Sequence, residues 1–311
     1  MKKVRITLQN NVTMADAFEN YLLSCKARGL SDKTIDTYSQ HLKAIKKQAR
    51  IDIPIDEIDK EYIEQIVASL RDAQLASNSI KSYLRTLSAF FSWCEKEEIA
   101  VVRVPSYKAE ETIKETYTDA ELEVLLKKPD LKHCSFGEYR NWVIINLLIN
   151  NGCRAATIRN IKIEDVDLGN KVIYLRHTKN KKAQVIPLCD ILCVILKEYM
   201  RFRGGKQTDY LFSTQYGEQL TENGLRSGIE RFNRKRGVEK TSIHLFRHTF
   251  AKKYLVDCGG NAFTLQRLLG HSTLDTTKLY CNLFDADISR NYDNYSPLAK
   301  IKANSERIRI R

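Results

Sequence analysis

No stretch of the 311-residue chain approaches the roughly 20 apolar residues needed to cross a bilayer, which argues against a membrane-spanning protein. The first ten residues, MKKVRITLQN, hold two lysines but neither an apolar core nor a small-residue cleavage site, so they do not read as a signal peptide. CxxC pairs are missing too. The eight cysteines, Cys25, Cys94, Cys134, Cys153, Cys189, Cys193, Cys258 and Cys281, are scattered, and free thiols in a reducing cytoplasm are the simplest reading. Cys189, Cys193 and His177 lie close in sequence, but their spacing is unlike that of the common zinc sites. There is no GxxxxGK[ST] phosphate loop and no obvious metal-binding carboxylate cluster, so no cofactor is expected. Internal repeats, low-complexity tracts and long disordered insertions are likewise lacking.

What the chain has in excess is positive charge: 51 Lys+Arg stand against 38 Asp+Glu, a formal net charge of +13. Such a surplus favours a polyanionic partner, through counterion release and electrostatic steering. Ribosomal and membrane-surface proteins are basic as well, so charge alone names no function. Hydrophobic residues, at 43%, suffice for a real core, and the length suits one large domain or two ordinary ones.

The first hundred residues read as a small helical bundle. In LSDKTIDTYSQHLKAIKKQAR, Ser31 can cap a helix on which Ile35, Tyr38, Leu42 and Ile45 recur at helical spacing. In SNSIKSYLRTLSAFFSWCEKEE, Ser77 is the expected cap, and Ile80, Tyr83, Leu84, Leu87, Phe91 and Cys94 form a broad apolar face. TMADAFENYLLSCKAR and DKEYIEQIVASLRDA supply two more helices. Lys33, Lys81 and Arg85 lie near helix starts or opposite the apolar stripes, where they could reach phosphates. AVVRVPSYKAEETIKE then breaks the pattern with extended, Val-rich character, Pro105 and a charge run, as a linker would. Helices resume at YTDAELEVLLKK, where Thr118 and Glu121 make a capping box.

The second half is mixed. YRNWVIINLLINNGCRAATIRNI is an apolar helix interrupted at Asn-Gly, and VIYLRHTKNKKAQVIPL reads as two short strands around a lysine-rich turn. DILCVILKEYMRFRGG, NGLRSGIERFNRKRG, IHLFRHTFAKKYLVDCGG and AFTLQRLLG read as helices. Along this half stand groups suited to phosphate. Arg154 follows the helix break, Lys179 sits in the hairpin turn, and His244 and Arg247 share a helical face. His271 and Tyr280, in LLGHSTLDTTKLY, close the series. Singly, each has an ordinary explanation as a surface charge, a solubility lysine or a core aromatic. Their order and spacing together are far harder to reach by chance.

In these blocks, NNGCRAATI, TKNKKAQVIPL, HLFRHTFA and LLGHSTLDTTKLY, the sequence resembles the tyrosine recombinase family, the phage-integrase and Xer-type enzymes. GLSDKTIDTYSQHL and SIKSYLRTLSAFFSWCEKEEI resemble the family's helical core-binding domain, so the likeness spans nearly the whole chain. It implies a mainly α fold with a small antiparallel β-sheet. Residues 1–105 would be a SAM-like core-binding bundle, 106–116 a linker, 117–297 a mixed α/β catalytic domain and 298–311 a C-terminal tail. The implied reaction is attack of the Tyr280 phenol on a DNA phosphodiester, giving a 3′-phosphotyrosyl link and a free 5′-hydroxyl without ATP or metal. Arg154 and Arg247 would grip the non-bridging oxygens, a task for planar bidentate guanidiniums. The resemblance makes His244 the proton acceptor of the phenol, Lys179 the general acid for the departing oxygen and His271 a phosphate ligand. Tyr280, and not Tyr254, Tyr292 or Tyr295, stands at the family's distance from the LLGH histidine.

Two positions depart from the family pattern. Thr157 replaces an acidic residue three positions after the first arginine, and Phe246 replaces the leucine before the second. Only about a dozen residues precede the helical bundle, which suggests a two-domain clamp on simple crossover sites of double-stranded DNA. The resemblance further implies a monomer or weak dimer in the free state and a homotetramer on two synapsed sites, in the cytoplasm. Leu283, Phe284, Ile288, Leu298 and Ile301 could dock the tail on a neighbour or fold back on their own domain. The tail NYDNYSPL is closer to integrase tails than to Xer ones, so integration or excision of a mobile element is expected ahead of dimer resolution. A catalytically silent DNA-binding protein of the same fold and a type IB topoisomerase are the competing readings.

Overall fold

A computed structural model describes residues 12–108, 115–175 and 184–270. The chain divides into two compact units, Met1–Thr112 and Ile113–Arg311.

The first unit packs four helices: α1 (Met14–Ala27), α2 (Asp32–Lys46), α3 (Lys60–Asp72) and α4 (Ser77–Lys96). Short polar residues start the first three. Thr13, Ser31 and Asp59 each accept a backbone N–H of the first turn, and Thr13 completes a capping box with Asp16. At α4 the expected cap shifts by one residue. Ala76 holds the cap position without a side-chain bond, and Ser77 is the first helical residue. Apolar positions at helical spacing then meet in one core, where Phe18 and Phe90 lie 4.9 Å apart between ring centroids and Phe90 packs on Phe91 at 4.8 Å. Each such buried ring contributes on the order of 1.5–3 kcal/mol. Ala100, Val102, Val104 and Tyr107 also pack on this core, so the start of the extended segment belongs to the bundle's surface.

The second unit is built around α6 (Phe136–Asn151), which buries residues on every side, among them Trp142, Val143, Ile144, Ile145, Leu147 and Leu148. A helix apolar all round must be central, and α8 (Asp190–Arg203), α9 (Glu222–Lys235) and α10 (Ile243–Val256) all pack against it. α5 (Asp119–Leu126) starts at the expected capping box: the Glu121 N–H donates to Thr118 Oγ1 at 3.2 Å, and the Thr118 N–H donates to Glu121 Oε2 at 2.7 Å. The sheet is an antiparallel meander of β1 (Val166–Asp167), β2 (Val172–Leu175) and β3 (Gln184–Pro187). β2 and β3 are the two strands expected around the lysine-rich turn, in register from Val172↔Pro187 to Leu175↔Gln184. The two-residue β1 is too short to show alternation in the sequence. Ile173, Leu175 and Ile186 face the core, while Tyr174 and Val185 face outward. α7 (Ala155–Asn160) and α11 (Ala262–Leu269) complete the unit.

Candidate active site

The break in NNGCR is where the site begins. Gly152 ends α6 in the left-handed conformation at φ 62° and donates its N–H to Leu148 O at 2.8 Å. A Cβ on Gly152 would lie 2.7 Å from Phe250 Cδ1 and 2.9 Å from Leu269 Cδ2, so both backbone conformation and space require glycine. Gly152→Ala is therefore expected to lower unfolding free energy by about 2–4 kcal/mol, combining left-handed strain with overpacking, as read by urea denaturation. A loss below about 0.5 kcal/mol would show that the turn relaxes freely.

Past the turn, Arg154 is the N-cap residue of α7 and lies half-buried. Its Nη2 donates to Gly270 O at 3.2 Å. Arg247 comes from α10 and is 5% exposed. It bridges the two turns: Nη1 donates to Gly152 O at 2.8 Å and Nη2 to Leu269 O at 2.9 Å. The reason is local. α11 ends at Gly270, in the left-handed conformation at φ 61°, and its last carbonyls have no partner further along the helix. Cations suit that negative helix end, and two guanidiniums bond its consecutive carbonyls, Leu269 O and Gly270 O.

Phe246 explains how α10 holds Arg247 at this depth. Its ring is fully buried and stacks on Tyr117, with centroids 4.3 Å apart and planes at 30°. The Tyr117 N–H donates to Thr249 Oγ1 at 2.9 Å, and its hydroxyl donates to Lys240 O at 3.0 Å. Burial pushes that hydroxyl's pKa well above the ordinary phenol range. The departure from leucine at 246 is thus accommodated in packing. Thr157 lies half-buried in α7, within one turn of Arg154.

Cys153, between Gly152 and Arg154, is buried. Burial pushes its thiol up to about 12, although the nearby Arg247 and Arg154 charges pull in the opposite direction. It therefore stays protonated and inert. Iodoacetamide at about pH 8 should alkylate the exposed Cys189 and Cys258 while sparing Cys153, as mapped by peptide mass spectrometry. Early modification of Cys153 would contradict this burial.

His244 lies exposed one turn before Arg247 on α10, on the same helical face. Arg154, Arg247 and the turn preceding His271 are thus brought together, with His244 one helical turn away. Lys179, His271 and Tyr280 lie outside the described residues, as does His177. The paired ends of β2 and β3, Leu175 and Gln184, bracket the segment that carries Lys179. Gln184 is a contact that sequence reasoning passed over: its Nε2 donates to Leu268 O at 2.8 Å and to Arg267 O at 3.3 Å. Its only sequence signal is parity with Ile186, which puts it on the core side of β3. In the first unit, Lys33 on α2 and Lys81 and Arg85 on α4 are all exposed, the latter two one turn apart.

Among the described residues, no group of three or more His, Cys, Asp or Glu is placed to hold a metal ion, and no helix is long and apolar enough to cross a membrane.

One compact unit is a helical bundle, and the other gathers two arginines at the end of a helix. Comparison with known proteins gives the family. Residues 115–287 match the phage integrase family, and residues 15–98 match the phage integrase N-terminal SAM-like domain. The chain belongs to the phage integrase family, the tyrosine recombinases, which are site-specific DNA recombinases. Tyrosine recombinase XerD of Staphylococcus haemolyticus is 29% identical over 299 residues, covering 92% of this chain and 100% of that protein. The Tn1549 transposon integrase in complex with transposon right end DNA has a TM-score of 0.72 at 19% identity, covering 88% of this chain and 98% of that one. A lambda integrase tetramer bound to a Holliday junction has a TM-score of 0.70 at 19% identity, covering 90% of this chain and 81% of that one. At such identities the structural likeness establishes the fold.

Proposed function

We propose that this recombinase cuts and rejoins double-stranded DNA at a specific crossover site through Tyr280. The phenolic oxygen attacks the scissile phosphorus, the bond from phosphorus to the 5′ oxygen breaks, and a 3′-phosphotyrosyl ester forms. The phenol proton passes to His244, and the departing 5′ oxygen takes a proton from Lys179. Arg154 and Arg247 stabilise the charge that builds on the non-bridging oxygens, and His271 donates a further hydrogen bond there. Rejoining reverses these steps with the 5′-hydroxyl of a partner strand. Since the ester conserves the energy of the broken bond, strand exchange needs no external energy source.

The observation that carries the reading is the meeting of Arg247 and Arg154 at consecutive carbonyls, Leu269 O and Gly270 O, directly before His271. Guanidinium N–H groups are the donor type a phosphate oxygen requires. In the same reading, residues 1–105 form the core-binding domain, with Lys33, Lys81 and Arg85 on the DNA backbone, residues 106–116 the linker, 117–297 the catalytic domain and 298–311 the tail. The working assembly is a homotetramer on two synapsed sites, a stoichiometry supported by the lambda integrase tetramer bound to a Holliday junction. Its place of work is the cytoplasm.

For biological role, the tail's likeness to integrase tails favours integration or excision of a mobile element. Xer-type dimer resolution is the second reading, favoured by the full-length match to the staphylococcal XerD. A coding region flanked by an element boundary with short inverted repeats decides for the first.

The chemistry is tested with a nicked suicide duplex bearing the crossover site, incubated in EDTA without ATP. A covalent adduct should form on the fragment carrying the 3′ phosphate, leaving a 5′-hydroxyl on the other. An adduct on the 5′ phosphate, or cleavage that needs a metal, would overturn the proposal.

A further inference from the structure

Three successive carbonyls at the end of α11 accept from three different elements. Gln184 on β3 takes Leu268 O at 2.8 Å, Arg247 on α10 takes Leu269 O at 2.9 Å, and Arg154 at the start of α7 takes Gly270 O at 3.2 Å. Two of these are the proposed phosphate-binding cations. The third is a neutral amide with no part in the chemistry above.

Its setting is that of a strut. Gln184 pairs with Leu175 of β2, and the far end of the same strand is tied to α6, where Asn150 Nδ2 donates to Pro187 O at 2.9 Å. From this anchored strand the Gln184 side chain reaches the α11 turn, bonding Arg267 O and Leu268 O. Its amide oxygen fills the space beside Gly270, where a Cβ would lie 2.8 Å from Oε1. The sheet thereby braces the same short turn against which both guanidiniums are set.

We propose that Gln184 is a positioning residue of the strand-cleavage reaction, holding the α11 carbonyl turn so that Arg154 and Arg247 meet the scissile phosphate in register. This rests on the reading of the two arginines as phosphate ligands. A turn released from the sheet can drift by a fraction of an ångström, carrying Leu269 O and Gly270 O with it. Displacements of about 1 Å at supporting groups cost on the order of 100-fold in rate.

The test is Gln184→Met, which keeps side-chain length and removes the amide. Single-turnover cleavage of the nicked site should fall about 10–100-fold, with DNA affinity and melting temperature nearly unchanged. Two altered substrates separate positioning of the arginines from other causes. A methylphosphonate at the scissile position removes one anionic oxygen and with it much of the need for a guanidinium. On it, the defects of Gln184→Met and of Arg154→Ala should both shrink to within about threefold of wild type. A 5′-thio substrate, whose leaving group needs no proton, should leave the Gln184→Met defect as large as on ordinary DNA. Wild-type rates, a defect undiminished on methylphosphonate, or relief by the 5′ sulfur would each overturn the inference, the last by tying Gln184 to the role proposed for Lys179. If Arg154→Ala is itself not relieved by methylphosphonate, the phosphate-ligand reading falls and this inference with it. Should Gln184→Met lower the melting temperature, Gln184→Asn gives the same comparison with a shortened amide.

Discussion

Tyr280→Phe should leave no detectable covalent protein–DNA adduct on a nicked suicide site while binding that site as tightly as the wild type does. Removal of a single hydroxyl has this effect because the oxygen itself becomes the bridging atom of the intermediate. An unassisted alternative nucleophile would have to replace it, and losses for a deleted nucleophile run on the order of 10⁴-fold or more. Gel-shift affinity and adduct formation should therefore separate completely. The other tyrosines serve as controls. Tyr254 sits half-buried on α10, its ring 5.9 Å from that of Phe250 and directly over Gly260, so Tyr254→Phe should form adduct normally. Adduct retained in Tyr280→Phe would remove the nucleophile from that position. Absence of adduct in the wild type as well, with specific binding intact, would favour the catalytically silent DNA-binding protein.

Arg247→Lys carries the second largest expected effect, although it preserves charge. The Arg247 fork spans Gly152 O and Leu269 O, joining the end of α6 to the end of α11. A lysine presents one ammonium and cannot reach both carbonyls in that geometry while also meeting a phosphate. Because the residue is only 5% exposed, the carbonyl left unpaired is not rehydrated. Cleavage should fall about 10²–10³-fold, the scale for losing one preorganised donor to a developing oxyanion. Unfolding free energy should drop by about 1–3 kcal/mol, the cost of an unsatisfied buried polar group. Arg154→Lys offers the contrast. Arg154 is half-buried and, among the described residues, bonds one carbonyl, so its replacement should match the catalytic loss with a smaller loss of stability. Equal stability losses in the two variants would argue against the bridging role of Arg247.

How far such expectations could be read without coordinates differs from residue to residue. The pairing of His244 with Arg247 is a matter of helical pitch, and the Thr118–Glu121 capping box is a matter of local hydrogen-bond reach, so both are visible in sequence. The strands around the lysine-rich turn announce themselves by composition and alternation. Ser77 enters the first turn while Ala76 takes the cap position, a one-residue shift within the range over which helix starts vary. Gln184 carried no signal of its own, since an amide on a strand is ordinary until its partner is known.

The sequence by itself determined the charge surplus, the helical and hairpin elements and the order of Arg154, Lys179, His244, Arg247, His271 and Tyr280, because each depends on residue type and short spacing. Only the tertiary structure decided that Arg154 and Arg247 meet at consecutive carbonyls of α11, with Gln184 bracing the same turn. Those contacts join residues 116, 22 and 84 positions apart along the chain. Their partners are orphaned backbone carbonyls, which every residue type carries alike; such pairing leaves no mark in the order of side chains and appears only when packing brings a helix end to a cation.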